Sequence, residues 1–178
     1  MHARLKLAGA VAAAGALTIA VTTAIAGDGN KIREHLIGYE EVPAISTAAS
    51  GDFRATLRAS QGEIAYRLSY TALSGDVTQA HIHFGQVAVN GGISAFLCSN
   101  LGNGPAGTQA CPPGPATVEG TIQPADVVGP ADQGIAPGEF DELIDAIRAG
   151  VTYANVHSTT HPMGEIRAQL KVRDGDDD

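Results

Sequence analysis

The chain has 178 residues, and its 19 acidic and 11 basic side chains give a formal net charge of −8. This excess of negative charge argues against nucleic-acid binding, which requires a basic surface to replace the counterions of the phosphate backbone. The 22 glycines and 9 prolines exceed average usage without reaching a disordered composition. The length and composition therefore predict a single turn-rich globular domain.

The first 26 residues have the features of a signal peptide. Arg4 and Lys6 precede an uncharged apolar stretch over residues 7–25, and residues 24–26 supply the small Ala-x-Ala pattern that signal peptidase accepts. We expect cleavage after Ala26 and a secreted, periplasmic or cell-surface protein. An uncleaved membrane anchor is the alternative, because about 20 apolar residues can span a bilayer.

Beyond the signal peptide, we expect a linker over residues 27–35, a folded domain over residues 36–172 and an acidic disordered tail over residues 173–178. Cys98 and Cys111 are the only cysteines. An exported pair normally forms a disulfide, which here would close a loop rich in Gly, Pro and Asn. Metal binding by this pair is the alternative, but two sulfur ligands alone make a poor site.

Alternation of polar and apolar residues predicts strands over most of the domain. The first two, residues 53–59 and 64–70, flank a short Gly-containing turn and are typical of a hairpin. Further strands are expected at residues 77–84, 93–97, 116–122, 151–157 and 165–172. Residues 138–150 instead repeat apolar side chains at three and four positions, which predicts an amphipathic helix.

These elements predict an all-β fold, an antiparallel sandwich or flattened barrel with one short crossover helix. In the last strand, alternation directs Glu165, Arg167, Gln169 and Lys171 to water. We therefore expect a charged sheet face that contacts another protein, with Asn155, Glu165 and Arg167 among its residues.

The sharpest local feature is the sequence His81-Ile82-His83. Residues i and i+2 of a strand point to the same side, so the two imidazoles are positioned to chelate copper or zinc. His157 and His161, at and after the end of a later strand, are further candidate ligands. The alternative is a structural network, in which histidines bond loop carbonyls or partners such as Asn155, Ser158 and Glu165.

Four segments of the chain closely resemble the CHRD domain, the module repeated in the animal protein chordin and found singly in exported bacterial proteins. They are residues 36–43 (LIGYEEVP), 80–85 (AHIHFG), 150–158 (GVTYANVHS) and 161–170 (HPMGEIRAQL). The resemblance implies an immunoglobulin-like, Greek-key β-sandwich or barrel, without an established catalytic activity. Ala44 and Ala168 depart from the usual Pro and Gly of the family pattern, and these changes affect packing more than chemistry.

We therefore expect a non-catalytic binding module whose partner is an extracellular or envelope protein, with no catalytic residues and contact with a membrane only through an uncleaved signal segment. The alternative is a copper- or zinc-binding protein, with or without a redox role. The His-x-His strand also resembles that of Cu/Zn superoxide dismutase. That enzyme needs a further histidine cluster in the loop after this strand, which is lacking after His83, so we expect no dismutase activity.

Overall fold

The computed structural model describes residues 30–173. The predicted signal peptide and all but the first residue of the predicted tail lie outside this range. Within it, the chain forms nine strands and one α-helix: β1 (Lys31–Ile37), β2 (Ser50–Arg58), β3 (Glu63–Thr71), β4 (Val77–Phe84), β5 (Gly92–Ser99), β6 (Ala116–Ile122), α1 (Phe140–Arg148), β7 (Thr152–Ser158), β8 (Ile166–Gln169) and β9 (Val172–Arg173). No helix among these residues is long and apolar enough to cross a membrane.

The predicted hairpin is formed by β2 and β3, which pair in register from Ser50–Thr71 to Arg58–Glu63. Its turn ends at Gly62, whose φ of 67° lies in the left-handed region that glycine adopts without steric cost. Along both strands, alternate apolar side chains are buried, including Phe53 and Leu68. The alternation of apolar residues therefore predicted the inward face of this hairpin correctly.

The strands form one antiparallel sheet in the order β5-β4-β7-β8-β1-β2-β3-β6, with β9 added beside β1. The sheet curves until its two edge strands approach each other. The Tyr66 hydroxyl of β3 donates a hydrogen bond of 2.7 Å to the Leu97 carbonyl of β5. The result is a nearly closed, barrel-like sheet with one helix, which confirms the predicted all-β class.

The seam between edge strands β5 and β6 is bridged by the loop that follows β5. Cys98 and Cys111 form the predicted disulfide at the base of this loop. The Gln109 side-chain amide nitrogen lies 3.3 Å from the Leu97 carbonyl of β5 and 3.0 Å from the Glu119 carbonyl of β6. The loop therefore links β5 to β6 through hydrogen bonds, although these two strands do not pair along their length.

Helix α1 packs one apolar side against the core, as its sequence pattern predicted. Its buried residues include Phe140, Leu143 and Ile147. Acidic residues lie in its first turn and Arg148 in its last, the arrangement that the helix dipole favours.

Both faces of the β4-β7-β8 part of the sheet are buried, which corrects the prediction of a water-facing surface. Glu165, Arg167 and Gln169 are 0%, 2% and 7% exposed, and of the four predicted residues only Lys171 is exposed. The reason is that loops fold over this face: Arg167 donates hydrogen bonds to the carbonyls of Gln86 and Val89 in the β4–β5 connection.

The predicted linker over residues 27–35 is also wrong for its second half. Strand β1 begins at Lys31 and pairs with β2 along its whole length, while it contacts β8 and β9 on its other side. The sequence 31–37 alternates less regularly than the hairpin strands, because Glu34 lies on the inward face between Ile32 and Leu36, and the apolar Ile37 lies on the outward face.

Candidate metal centre

Neighbouring strands β4 and β7 bring three histidines together. His81 and His83 lie on the same side of β4, opposite Asn155 and Tyr153 of β7, and His157 lies two residues further along β7 from Asn155. One ring nitrogen from each histidine can be chosen so that all three atoms lie within 4.8 Å of one another. The cluster lies on the sheet face opposite the side chains of Ala80 and Ile82.

The three imidazoles are buried, with His81 0%, His83 8% and His157 6% exposed. Burial lowers the pKa of each ring from its ordinary value, because a charged imidazolium is poorly solvated there. The pKa of His81 falls to about 2, with the neighbouring rings adding to the effect of burial, and that of His83 falls to about 4. All three histidines are therefore neutral at physiological pH.

Backbone carbonyls orient two of the three rings. Nδ1 of His83 lies 3.0 Å from the Gly91 carbonyl, and Nδ1 of His157 lies 3.0 Å from the Pro162 carbonyl. A carbonyl only accepts, so each of these Nδ1 atoms carries the proton of its neutral ring. The Nε2 lone pairs of His83 and His157 are consequently available to a ligand.

The third ring, His81, has Nδ1 at 3.2 Å from Nε2 of His157. Because Nε2 of His157 is an acceptor, Nδ1 of His81 donates to it in the absence of a metal. This assignment leaves Nε2 of His81 and Nε2 of His83 as buried lone pairs, and neither atom has a hydrogen-bond partner in the structure. Buried acceptors without a donor are uncommon and costly, and a bound cation would satisfy them.

Aromatic rings and one cation surround the cluster. Phe96 of β5 meets His81 edge-on, with ring centroids 4.5 Å apart. Tyr153 stacks on His83 at 4.7 Å with an angle of 2° between the planes. On the same tyrosine, the Arg167 guanidinium carbon lies 3.4 Å from the ring centroid, a cation–π contact.

A buried carboxyl, that of Glu41, lies beside Asn155, the residue between Tyr153 and His157 on the same face of β7. Nδ2 of Asn155 donates a hydrogen bond of 2.6 Å to Oε1 of Glu41, which is 7% exposed. Burial raises the pKa of Glu41 to about 7, although Arg167 and the Asn155 hydrogen bond partly offset this effect. The backbone of Gly164 packs directly against this pair. A Cβ at this position would lie 2.5 Å from Asn155 Nδ2 and 2.7 Å from Glu41 Oε1, too close for any side chain in this arrangement.

Of the four histidines that the sequence nominated, the structure brings His81, His83 and His157 together, and His161 is not a member of the cluster. The structural alternative is met in part: loop carbonyls accept hydrogen bonds from His83 and His157, whereas the side chains expected as partners, Asn155, Ser158 and Glu165, do not bond the three rings in the described residues. Glu165 instead accepts bonds from Thr47 Oγ1 and from the Ser74 amide and hydroxyl, each at 2.8 Å.

Neither Tyr153 nor Glu41 was among the site residues predicted from the sequence. The signal for Tyr153 was present, because it precedes His157 by four residues in a strand and so lies on the same face. Glu41 gave no comparable signal, since it reaches the cluster from a loop that is 114 residues from Asn155 in sequence.

Comparison with known proteins identifies the family of the chain. The CHRD domain family matches residues 32–170, a range that includes the strands of the barrel core and the three clustered histidines. No curated protein and no solved structure was found to match the chain. The match covers most of the sequence, and the protein therefore belongs to the CHRD domain family.

Proposed function

We propose that the protein binds one copper or zinc ion through the imidazoles of His81, His83 and His157. The observation that carries this proposal is a set of three buried nitrogen atoms within 4.8 Å of one another, on rings of which two have a buried Nε2 without a partner. Imidazole nitrogen is a preferred ligand of both metals.

The surrounding contacts favour a metal centre over a purely structural histidine network. In a structural network, each buried ring would have partners at both nitrogens, because an unpaired buried acceptor costs about 1–3 kcal/mol. Here Nδ1 of His83 and of His157 each donates to a backbone carbonyl, as metal-binding histidines do. This leaves Nε2 of each ring as the atom that can bind a metal.

Metal titration of the tag-free, metal-depleted protein tests the proposal. We expect one equivalent of metal to bind with a dissociation constant below about 1 µM. His81→Ala or His83→Gln should weaken binding by at least about a hundredfold, because loss of a hydrogen-bonding partner of a ligand alone costs about 10–100-fold. His161→Gln is the matched control, because His161 is outside the cluster. An affinity that is the same in wild type and His81→Ala would refute the proposal.

We also propose a second function, that of a binding module for an extracellular or envelope protein. Three large apolar side chains are strongly exposed on the loops that cover the cluster: Tyr39 at 70%, Val87 at 68% and Met163 at 84%. Exposed apolar side chains mark interaction sites where they adjoin one another. These residues replace Asn155, Glu165 and Arg167, which are buried, as the candidates for contact with a partner.

Two of the three loops that carry these side chains contact one another. Asn90 Nδ2 donates to the Val42 carbonyl at 2.9 Å, which joins the loop of Val87 to that of Tyr39. Capture of partners from a native envelope extract tests this function. A Tyr39→Ser, Val87→Ser, Met163→Ser variant is expected to lose the saturable partner that the wild type retains, whereas Leu101→Ser, an exposed site elsewhere, should not.

Export of the protein belongs to the same proposal. The Cys98–Cys111 disulfide supports an oxidising compartment, where such bonds persist. If the full chain is exported and processed, mass spectrometry of the purified protein will give an N-terminus at Gly27. Retention of residues 1–26 in the purified protein would contradict cleavage.

A further inference from the structure

The charges around the histidine cluster select for an ion of low charge. We infer that the centre holds copper as Cu(I) in preference to Cu(II) or Zn(II), an inference that rests on the metal binding proposed above. It follows from three features of the described residues: a neutral ligand set, a buried arginine and the small solvent exposure of the cluster.

The ligand set carries no negative charge. The clustered groups are three imidazoles, and no carboxylate or thiolate of residues 30–173 belongs to the cluster. The desolvation cost of a buried ion rises with the square of its charge, so a divalent ion costs about four times as much as a monovalent one. With neutral ligands, this cost is not offset by an adjacent anion.

Arg167 adds a buried positive charge to the same region. Arg167 is 2% exposed as a whole residue. Its guanidinium stacks on Tyr153, which in turn stacks on His83. The groups that accept its hydrogen bonds are all neutral: the Asn90 side-chain oxygen and the carbonyls of Gln86 and Val89. A second positive charge near a metal disfavours a divalent ion more than a monovalent one.

Glu41 is the buried acid beside Asn155, and together with the exposed Glu40 it offsets the charge of Arg167 only in part. It contacts Asn155 rather than a histidine of the cluster, and its raised pKa keeps much of the carboxyl protonated at neutral pH. Coordination number points in the same direction. Three imidazoles complete a trigonal Cu(I) site, whereas zinc bound by three histidines takes a water as its fourth ligand, and the burial of all three rings restricts access of that water.

The test is a comparison of three dissociation constants on the full mature protein. Cu(I) is measured anaerobically with ascorbate by competition against a chromophoric Cu(I) chelator, and Cu(II) and Zn(II) by competition against chelators of known affinity. We expect Cu(I) to bind at least a hundredfold more tightly than either divalent ion. Equal or tighter binding of Zn(II) or Cu(II) would overturn the inference while leaving metal binding itself intact.

Failure of the proposed function gives a different result, because none of the three metals would then show an affinity that depends on His81. The wild type and His81→Ala are therefore measured together. Identical constants in both proteins reject the metal centre, whereas His81-dependent binding with the wrong order of metals rejects only the preference for Cu(I).

Charge variants test the physical cause. Arg167→Gln removes the buried cation but retains an amide donor, and we expect it to lower the ratio of Cu(I) to Zn(II) affinity by about tenfold. Arg167→Lys keeps the charge and should stay within about threefold of wild type by the same argument. Folding of each variant is checked by far-UV circular dichroism before titration.

Glu41→Gln provides a test in the opposite direction and does not depend on the folding of the arginine variants. It removes the negative charge and keeps an oxygen for Asn155, so the ratio of Cu(I) to Zn(II) affinity should rise. A ratio unchanged by Glu41→Gln and by Arg167→Gln would overturn the electrostatic explanation.

Discussion

The buried rings of His81, His83 and His157 make the stability of the metal-free protein sensitive to acid. In the unfolded chain, a histidine takes up a proton near its ordinary pKa of 6.5, whereas burial keeps these rings neutral in the folded protein to much lower pH. Below pH 6.5 the unfolded state therefore binds more protons than the folded state, and acid favours unfolding.

The first prediction is a loss of stability in the metal-free protein between pH 7 and pH 5. Each histidine that stays neutral in the folded state lowers the free energy of unfolding by about 1.4 kcal/mol per pH unit below its unfolded pKa. Glu41 acts in the opposite direction, because its carboxyl is protonated in the folded state near pH 7 but only near 4.5 when unfolded. Urea unfolding at several pH values measures the sum.

Two variants separate these contributions to the pH dependence. His83→Gln should make the loss of stability on acidification shallower by about 1.4 kcal/mol per pH unit. Glu41→Gln should make it steeper, because the opposing group is removed. If His83→Gln has the same pH dependence as wild type, the ring of His83 is not neutral in the folded protein.

For individual residues, the sequence predicted which side chains share a face of the sheet but not what covers that face. Alternation placed His81 and His83 on one side of a strand and His157 on a later strand, and the cluster forms because the structure pairs those two strands, without His161. Alternation also directed Arg167 to water, and there it was wrong. A period of two distinguishes two faces of a sheet, and it carries no information about a distant loop that folds over one of them.

At the scale of elements, the loop between β5 and β6 has few apolar side chains to anchor it, so we expect its disulfide to contribute strongly to stability. The second prediction is that reduction of the Cys98–Cys111 bond lowers the free energy of unfolding by about 3 kcal/mol, the value expected for a loop of this length. Urea unfolding with and without reductant measures the difference.

The control for this prediction is the Cys98→Ala, Cys111→Ala variant, whose stability should not respond to reductant and should match that of the reduced wild type. A change of less than about 1 kcal/mol on reduction would mean that Gln109 and its neighbours hold the loop without the cross-link.

Most of the strands and the helix could be predicted from the sequence. The predicted strand at residues 77–84 and the predicted strand at 116–122 match β4 and β6 at both ends, and the helix is shorter than predicted at each end. The final strand, predicted as continuous over residues 165–172, is divided. β8 pairs with both β7 and β1, whereas the pairing of β9 is with β1, and this interruption leaves no mark on the alternation.

At the scale of the whole molecule, β1 is an interior strand of the sheet, with β2 on one side and β8 and β9 on the other. The third prediction follows from this position. A chain that begins at residue 38 lacks β1, the strand that joins two parts of the sheet and contributes the buried side chains of Ile32 and Leu36. We expect this chain to fail to fold. Far-UV circular dichroism and urea unfolding measure the outcome.

The matched control is a chain that begins at residue 28, which retains β1 and lacks the predicted signal peptide. It should unfold cooperatively and retain the stability of the mature protein. If the chain beginning at residue 38 gives the same unfolding midpoint, β1 contributes nothing to the barrel and the domain boundary predicted at residue 36 is adequate.

The Gln109 bridge has a consequence for the behaviour of the protein in concentrated solution. An incompletely closed barrel leaves two strand edges with unpaired backbone groups, and such edges recruit strands from other molecules. By occupying the gap, the side-chain amide of Gln109 satisfies carbonyls on both edges, and the Gln109 carbonyl accepts a hydrogen bond from the Ser99 amide. The disulfide-closed loop between β5 and β6 therefore covers backbone groups through which another molecule would pair, and we expect its removal to favour edge-to-edge association.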